Sequence, residues 1–182
     1  AEQARARAEQ MARARRIAEQ RRKEAARRRA ERLANGQPVL GQGGCEGGDV
    51  SGYSNGQIPE SALCPLWGAA GHLLTAPAAR GFTAMSKEYA ADFGSPICVT
   101  DSYRSYEMQV ELYEAKPDLA AVPGTSNHGW ARAVDLCGGI ESFGTVEHAW
   151  MKSHAPAYGW YHPDWARQGG GREEPWHWEY GG

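Results

Sequence analysis

His128 and Asp135 stand seven positions apart in SNHGWARAVDLCGG, residues 126 to 139, a segment otherwise mostly small or apolar. An imidazole and a carboxylate in such surroundings suit a metal site, a fragment of a nucleophilic triad, or a plain buried hydrogen bond. Left unpartnered, either group would cost free energy. A second histidine, His177 in EEPWHWEY, extends the set. Two imidazoles and one carboxylate give three protein ligands and leave one open position, the arrangement of a catalytic zinc centre. The nitrogen-rich donor set favours Zn2+ over magnesium or calcium. Glu174, three residues before His177 and just upstream of Pro175, can serve as a base beside such a centre without binding the ion. Its path to the histidine crosses a proline and differs from the helical HExxH pattern, which does not apply. Arg104, in DSYRSYEMQ, adds a guanidinium able to hold a substrate carboxylate or to offset charge on a tetrahedral intermediate.

These side chains need elements to position them. The run from Ala131 to Leu136 reads as a strand, on which Ala133, Asp135 and Cys137 point one way and Val134 and Leu136 the other. His128 lies an odd number of residues from Asp135, so a straight strand would turn it away. Gly129 allows a turn or bulge that would let the two converge. Trp176 to Tyr180 reads as a second strand, with Glu179 on the face of His177 and Trp176 and Trp178 on the other. PICVTDSYRS is a short apolar strand running into polar residues, and YEMQVELYEA continues as a helix that stops before Pro117. Helical periodicity marks Phe82 to Phe93, ending at Gly94, and Phe143 to His154. KPDLAAVPGTSNHG is a loop. Helices and antiparallel strands in mixed order, without regular βαβ units, predict an α+β domain: a small antiparallel sheet with flanking helices.

Two compositions meet in this chain. Residues 1 to 34 hold 12 Arg or Lys against 5 Glu, whereas the remainder holds 8 basic against 17 acidic residues. The first part is nearly all strong helix formers with Asn35-Gly36 as a stop signal. It reads as a long charged helix, either solvated or one strand of a coiled coil with a poor seam, because the d-type positions are mostly Arg. Residues 35 to 57, with eight Gly, read as a linker, and residues 58 to 182 as the globular domain. No run approaches the roughly 18 apolar residues of a spanning helix, and no signal peptide is visible at residue 1. Four Cys without a CxxC pair suit two disulfides in an oxidising compartment. Of the three possible connectivities, Cys45 with Cys64 and Cys98 with Cys137 is expected. The first would tie the linker to the domain, and the second would join the strands that carry Arg104 and Asp135.

SNHGWARAVDL resembles the SxHxxGxAxD signature of the zinc D-Ala-D-Ala carboxypeptidases of the vancomycin-resistance type. EPWHWEY resembles their C-terminal ExxH segment, and DSYRSYEMQ is similar to their strand-to-helix segment with the active-site Arg. The three matches occur in family order across residues 58 to 181. The resemblance implies zinc ligands at His128, Asp135 and His177, a catalytic base at Glu174, a substrate-contacting Arg104, Ser126 lining the site, and the Hedgehog/D-Ala-D-Ala-peptidase fold. It implies a secreted, wall-associated D,D-carboxypeptidase acting on peptidoglycan stem peptides. An L-alanyl-D-glutamate endopeptidase is the runner-up, and a non-catalytic zinc-containing wall-binding module is a third reading, against which Glu174 argues. No nucleic-acid partner is expected; the basic helix would self-associate or touch anionic wall polymer. Ala131 departs from the signature, which has Gly there. Trp160, Tyr161, Trp165, Trp176 and Trp178 are mostly core by default, with one or two of them, Trp176 among these, expected as substrate wall. His72, His148, His154 and His162 are ordinary histidines, His162 being the one whose segment, YGWYHP, could line the cleft. Glu173 does not match the spacing of the base.

Overall fold

The computed structural model describes residues 44–182, together with Lys23 and Arg27, which are helical and exposed. The remainder of the expected N-terminal helix, its coiled-coil alternative and residues 35–43 of the expected linker lie outside the described residues. Apolar spacing and local stop signals account for the helices. In α1 (Ala76–Phe93), Ala78, Ala79, Phe82, Met85, Ser86 and Tyr89 form a buried stripe. Gly94, left-handed at φ 85°, ends it. In α2 (Tyr106–Ala115) the Ser105 hydroxyl accepts from the Met108 amide at 3.2 Å, and the helix stops before Pro117. Thr145 caps α3 (Val146–His154) in the same way, accepting from the His148 amide at 3.2 Å. This helix therefore starts three residues after the expected Phe143, because the capping threonine, not the apolar periodicity, sets the first turn.

The main sheet has four antiparallel strands in the order β3 (Cys98–Asp101), β4 (Ala133–Cys137), β6 (His177–Tyr180) and β5 (Trp160–Tyr161). Alternation divides it into two faces. Val134, Leu136, Trp160 and Trp178 join Phe82, Met85, Trp150 and Met151 in the core beneath α1 and α3, each burial stabilising by roughly 1.5–3 kcal/mol. Asp135, His177 and Glu179 emerge on the opposite face. The α+β architecture with antiparallel strands matches the expectation. β4 starts two residues later than expected, and β6 one residue later, so Trp176 falls outside the alternation that would have placed it beside Trp178.

Two features depart from the sequence expectation. β1 (Cys64–Leu66) and β2 (Ala69–Leu74) form a separate antiparallel hairpin where no strand is expected; Pro65, Gly68, Gly71 and the alanines hide its alternation. The domain also begins before Ile58. Gly48 donates to Ala62 O at 2.9 Å, Tyr106 N donates to Gly56 O at 2.9 Å, and Asn55 is buried, so the last part of the expected linker is built into the packing.

Both disulfides pair as expected, Cys45 with Cys64 and Cys98 with Cys137. The second pair stands directly opposite across β3 and β4 and closes 39 residues of sequence. Replacing Cys98 and Cys137 with Ser should lower the unfolding free energy by about 2–4 kcal/mol. Urea denaturation measures it, and an unchanged midpoint would show that the bridge constrains nothing.

Candidate metal centre and cleft

Strand register brings the polar residues into one row. Asp101 faces Asp135 across β3 and β4, and Asp135 faces His177 across β4 and β6. His128 arrives from a 3-10 turn, Asn127–Trp130, in which the Ser126 hydroxyl accepts from the His128 amide at 3.2 Å. The reversal into β4 is made by Ala131, left-handed at φ 51° and ψ 40°, and not by Gly129. Gly129 is needed for room instead: a Cβ there would lie 2.1 Å from Asn55 Oδ1. Asn55 in turn donates to Ser126 O at 2.7 Å, and Gly56 N to Gly129 O at 2.8 Å, which clamps the turn from behind.

The three expected ligands converge. His128 Nε2 lies 3.3 Å from Asp135 Oδ1 and 3.3 Å from His177 Nδ1, and His177 Nδ1 lies 3.0 Å from Asp135 Oδ1. Three donors on a tetrahedral ion bound at about 2.0–2.1 Å stand about 3.3 Å apart, so this triangle matches one face of such a shell. The remaining ring nitrogens are occupied from outside. His128 Nδ1 donates to Ser102 O at 2.7 Å, and His177 Nε2 donates to Glu179 Oε1 at 3.0 Å. Each outer bond orients its ring so that the inward nitrogen, once deprotonated, faces the other donors, and carboxylate-backed histidine is a recurrent support of metal ligands. His128, Asp135 and His177 together are a group that can hold a metal ion.

The local charge agrees. Burial opposes ionisation of Asp135, but hydrogen bonds and positive charge from His128 and His177 outweigh it and hold the carboxyl well below its ordinary range. Burial likewise opposes the charged form of His177, yet Asp135 and Glu179 raise its pKa to about 9. For Glu179, burial is overcome by hydrogen bonds from His177, Asn127 and Tyr161, which bring it to about 2; the Tyr161 hydroxyl donates at 2.8 Å. Without an ion these carboxylates hold His177 as an imidazolium, and the same negative charge would favour a cation in place of the proton on its inward nitrogen. Glu179→Gln keeps an acceptor oxygen beside His177 but removes that charge. Metal affinity should fall roughly 10- to 100-fold, as read by competition with a chromogenic chelator. An unchanged affinity would deny Glu179 a supporting role.

A cavity of about 560 Å³ opens over this triangle. The expected ligands, base and substrate contacts all line it: His128, Asp135, His177, Glu174, Arg104, Ser126 and Trp176. Arg104 is buried and already braced. Its Nε and Nη2 donate to Asp101 Oδ2 and its Nη1 to Gln109 Oε1 at 2.6 Å, while Gln109 Nε2 donates to Ala121 O at 2.6 Å. Glu174 sits between strands, and burial raises its pKa above the ordinary carboxylate value. Sequence reasoning missed Asp101 and Gln109 as braces and Arg172 as a wall, and left Trp165 unsorted among the five aromatics of which one or two would form the wall. Trp165 is 41% exposed with its ring 5.1 Å from His177. Arg172 donates to Leu119 O at 2.7 Å and closes one side of the cavity. Alternation along β6 already placed Glu179 beside His177. No periodicity marks the other four. His162 does not line the cavity; it is buried behind it.

The comparisons with known proteins agree with this geometry. A family profile described as VanY, D-alanyl-D-alanine carboxypeptidase, matches residues 71–182. A D-alanyl-D-alanine carboxypeptidase of Enterococcus faecalis is 34% identical over 114 residues, covering 50% of this chain and 42% of that protein. The chain thus spans less than half the length of that relative. Among solved structures, VanYB in complex with D-Alanine-D-Alanine superposes with a TM-score of 0.51 at 28% identity, over 69% of this chain and 80% of that one. The LdcB LD-carboxypeptidase shares the fold, with a TM-score of 0.55 at 22% identity over 69% of this chain and 70% of that one.

Proposed function

Because the chain belongs to the VanY family of D-alanyl-D-alanine carboxypeptidases, we propose that it is a zinc-dependent D,D-carboxypeptidase that removes the terminal D-Ala of peptidoglycan stem peptides. The observation that carries this reading is the triangle of His128, Asp135 and His177 at the base of a cavity that also holds Glu174 and Arg104. When bound by the three ligands, zinc supplies Lewis acidity, which polarises the scissile carbonyl and acidifies the attacking water.

The chain's own residues supply the rest. Glu174 takes a proton from the water as its oxygen bonds to the carbonyl carbon, and returns that proton to the leaving nitrogen as the C–N bond breaks. The products are a shortened stem peptide and free D-Ala. Burial, which raises the pKa of this carboxylate, makes it a stronger base toward the proton of the water. Arg104, with three of its N–H groups fixed by Asp101 and Gln109, directs those that remain toward the substrate carboxylate; a braced guanidinium loses little freedom on binding. Ser126 shapes the turn that carries His128, and Trp176 supplies an apolar wall. Two disulfides suit an oxidising compartment such as the cell exterior. The charged N-terminal segment is proposed as a spacer.

Mass spectrometry of products from defined muropeptides tests the reading. A pentapeptide ending in D-Ala-D-Ala should lose one alanine. Cleavage of the internal L-Ala–D-Glu bond alone would make the protein an endopeptidase, and retention of zinc and peptidoglycan without any cleavage would make it a binding module.

A further inference from the structure

Glu174 belongs to no helix or strand, so its place at the cavity depends on what holds its backbone. Its amide donates to Ala166 O at 2.9 Å, and its carbonyl accepts from the His177 amide at 3.1 Å. The same carbonyl accepts a second bond, from a side chain, His162 Nε2, at 3.0 Å. His162 is only 4% exposed. Its ring stacks on Trp178 with centroids 4.8 Å apart and planes 19° from parallel, and meets the His148 ring edge-on at 5.3 Å. Trp178 is part of the core, and His148 is fixed by a 2.8 Å bond from its Nδ1 to Ile140 O. The imidazole is therefore clamped on two sides before it reaches Glu174.

The protonation state follows from these contacts. A carbonyl oxygen can only accept, so Nε2 carries the ring proton. Nδ1 is buried with no hydrogen-bond partner among the described residues, which favours the neutral ring. Burial lowers the His162 pKa to about 4, against a raising contribution from the Glu174 carbonyl. The ring thus remains one fixed, neutral donor near neutral pH.

We propose that His162 is a positioning residue for Glu174: by holding the Glu174 carbonyl, it fixes the peptide plane from which the carboxylate projects into the cavity. The inference rests on the reading of Glu174 as the base. Pro175, which follows, has no amide hydrogen to restrain that plane from the other side, so the plane is held through its carbonyl, where His162 adds a side-chain bond to the one from the His177 amide.

The test is a cycle in the full-length, zinc-loaded protein, read as D-Ala release from a D-Ala-D-Ala pentapeptide. His162→Phe keeps a ring on Trp178 but loses the donor; His162→Gln keeps a donor of similar reach. His162→Phe should lower kcat roughly 10- to 100-fold, the scale of a small misplacement of a catalytic group, with KM and zinc content little changed. His162→Gln should recover most of that loss. In a Glu174→Gln background, His162→Phe should change the residual rate little, because its effect passes through the carboxylate. Wild-type kcat in folded His162→Phe, or an equal loss in both backgrounds, overturns the assignment. If His162→Phe does not fold, His162→Met provides the donorless comparison. If neither donorless variant folds while His162→Gln does, the residue is structural and the proposal fails. Full activity of Glu174→Gln on its own would instead remove the base, whatever the His162 variants do.

Discussion

Replacing Glu174 with Gln should lower kcat/KM for the terminal D-Ala bond roughly 10²- to 10⁴-fold, the usual loss on removing a general base. The amide keeps the size and polarity of the side chain but cannot take the proton of the attacking water. Metal content should hardly change, since the converging donors come from His128, Asp135 and His177. The pH profile gives a second readout. Burial raises the Glu174 pKa, so the acid limb of the wild-type profile should fall above the ordinary glutamate range and should be absent from the residual activity of the variant. Wild-type and variant enzymes are to be compared at equal zinc occupancy. A variant that retains wild-type turnover would show that another group takes the proton.

Loss of the metal should be as damaging, and by a separable route. His177→Ala removes one corner of the triangle and leaves the Asp135 carboxylate without its partner on β6. Zinc retention through dialysis should drop from near-stoichiometric to a small fraction. Lewis-acid stabilisation contributes several kcal/mol, so the rate should fall by about 10²- to 10³-fold or more. Stripping wild-type protein with a chelator should produce the same loss, and adding zinc back should reverse it, whereas zinc should not restore His177→Ala. Metal-free wild-type protein with full activity would overturn the zinc assignment. Together the two variants divide the site: one loses activity with its metal in place, the other loses both.

Much of this site is legible in sequence because its residues sit at regular positions on short elements. Alternation along β4 and β6 gives the direction of Asp135, His177 and Glu179, and Ser105 and Pro117 bracket α2 beside Arg104. The convergence of His128 with Asp135 could be inferred, but its means could not. An alanine in the left-handed region is disfavoured by local sterics, so Gly129 was the natural candidate for a reversal that Ala131 makes. The braces around Arg104 and the walls formed by Trp165 and Arg172 are long-range contacts between irregular segments, which carry no periodic signal. The β1–β2 hairpin escaped for a related reason: its strands alternate weakly and face only part of the core. The segment ending at Gly56 looked like a linker by composition, yet Asn55 fits against the His128 turn because Gly129 leaves room for it, and a Cβ on Gly56 would meet the Tyr106 amide nitrogen at 2.6 Å.

The left-handed Ala131 bears on how this position can vary among related chains. A left-handed alanine costs roughly 1–2 kcal/mol. Its methyl group is fully buried against Ile58 and Leu63, which returns about 0.8 kcal/mol. Glycine would relieve the strain and lose the contact, so the two residues are close to equivalent here, and drift between them should be nearly neutral. Anything larger would meet both the backbone conformation and a closed wall. Glycine at this place in the signature then answers to the backbone of the turn and not to the chemistry, and a search that demands it would pass over a chain that keeps His128, Asp135 and His177 together.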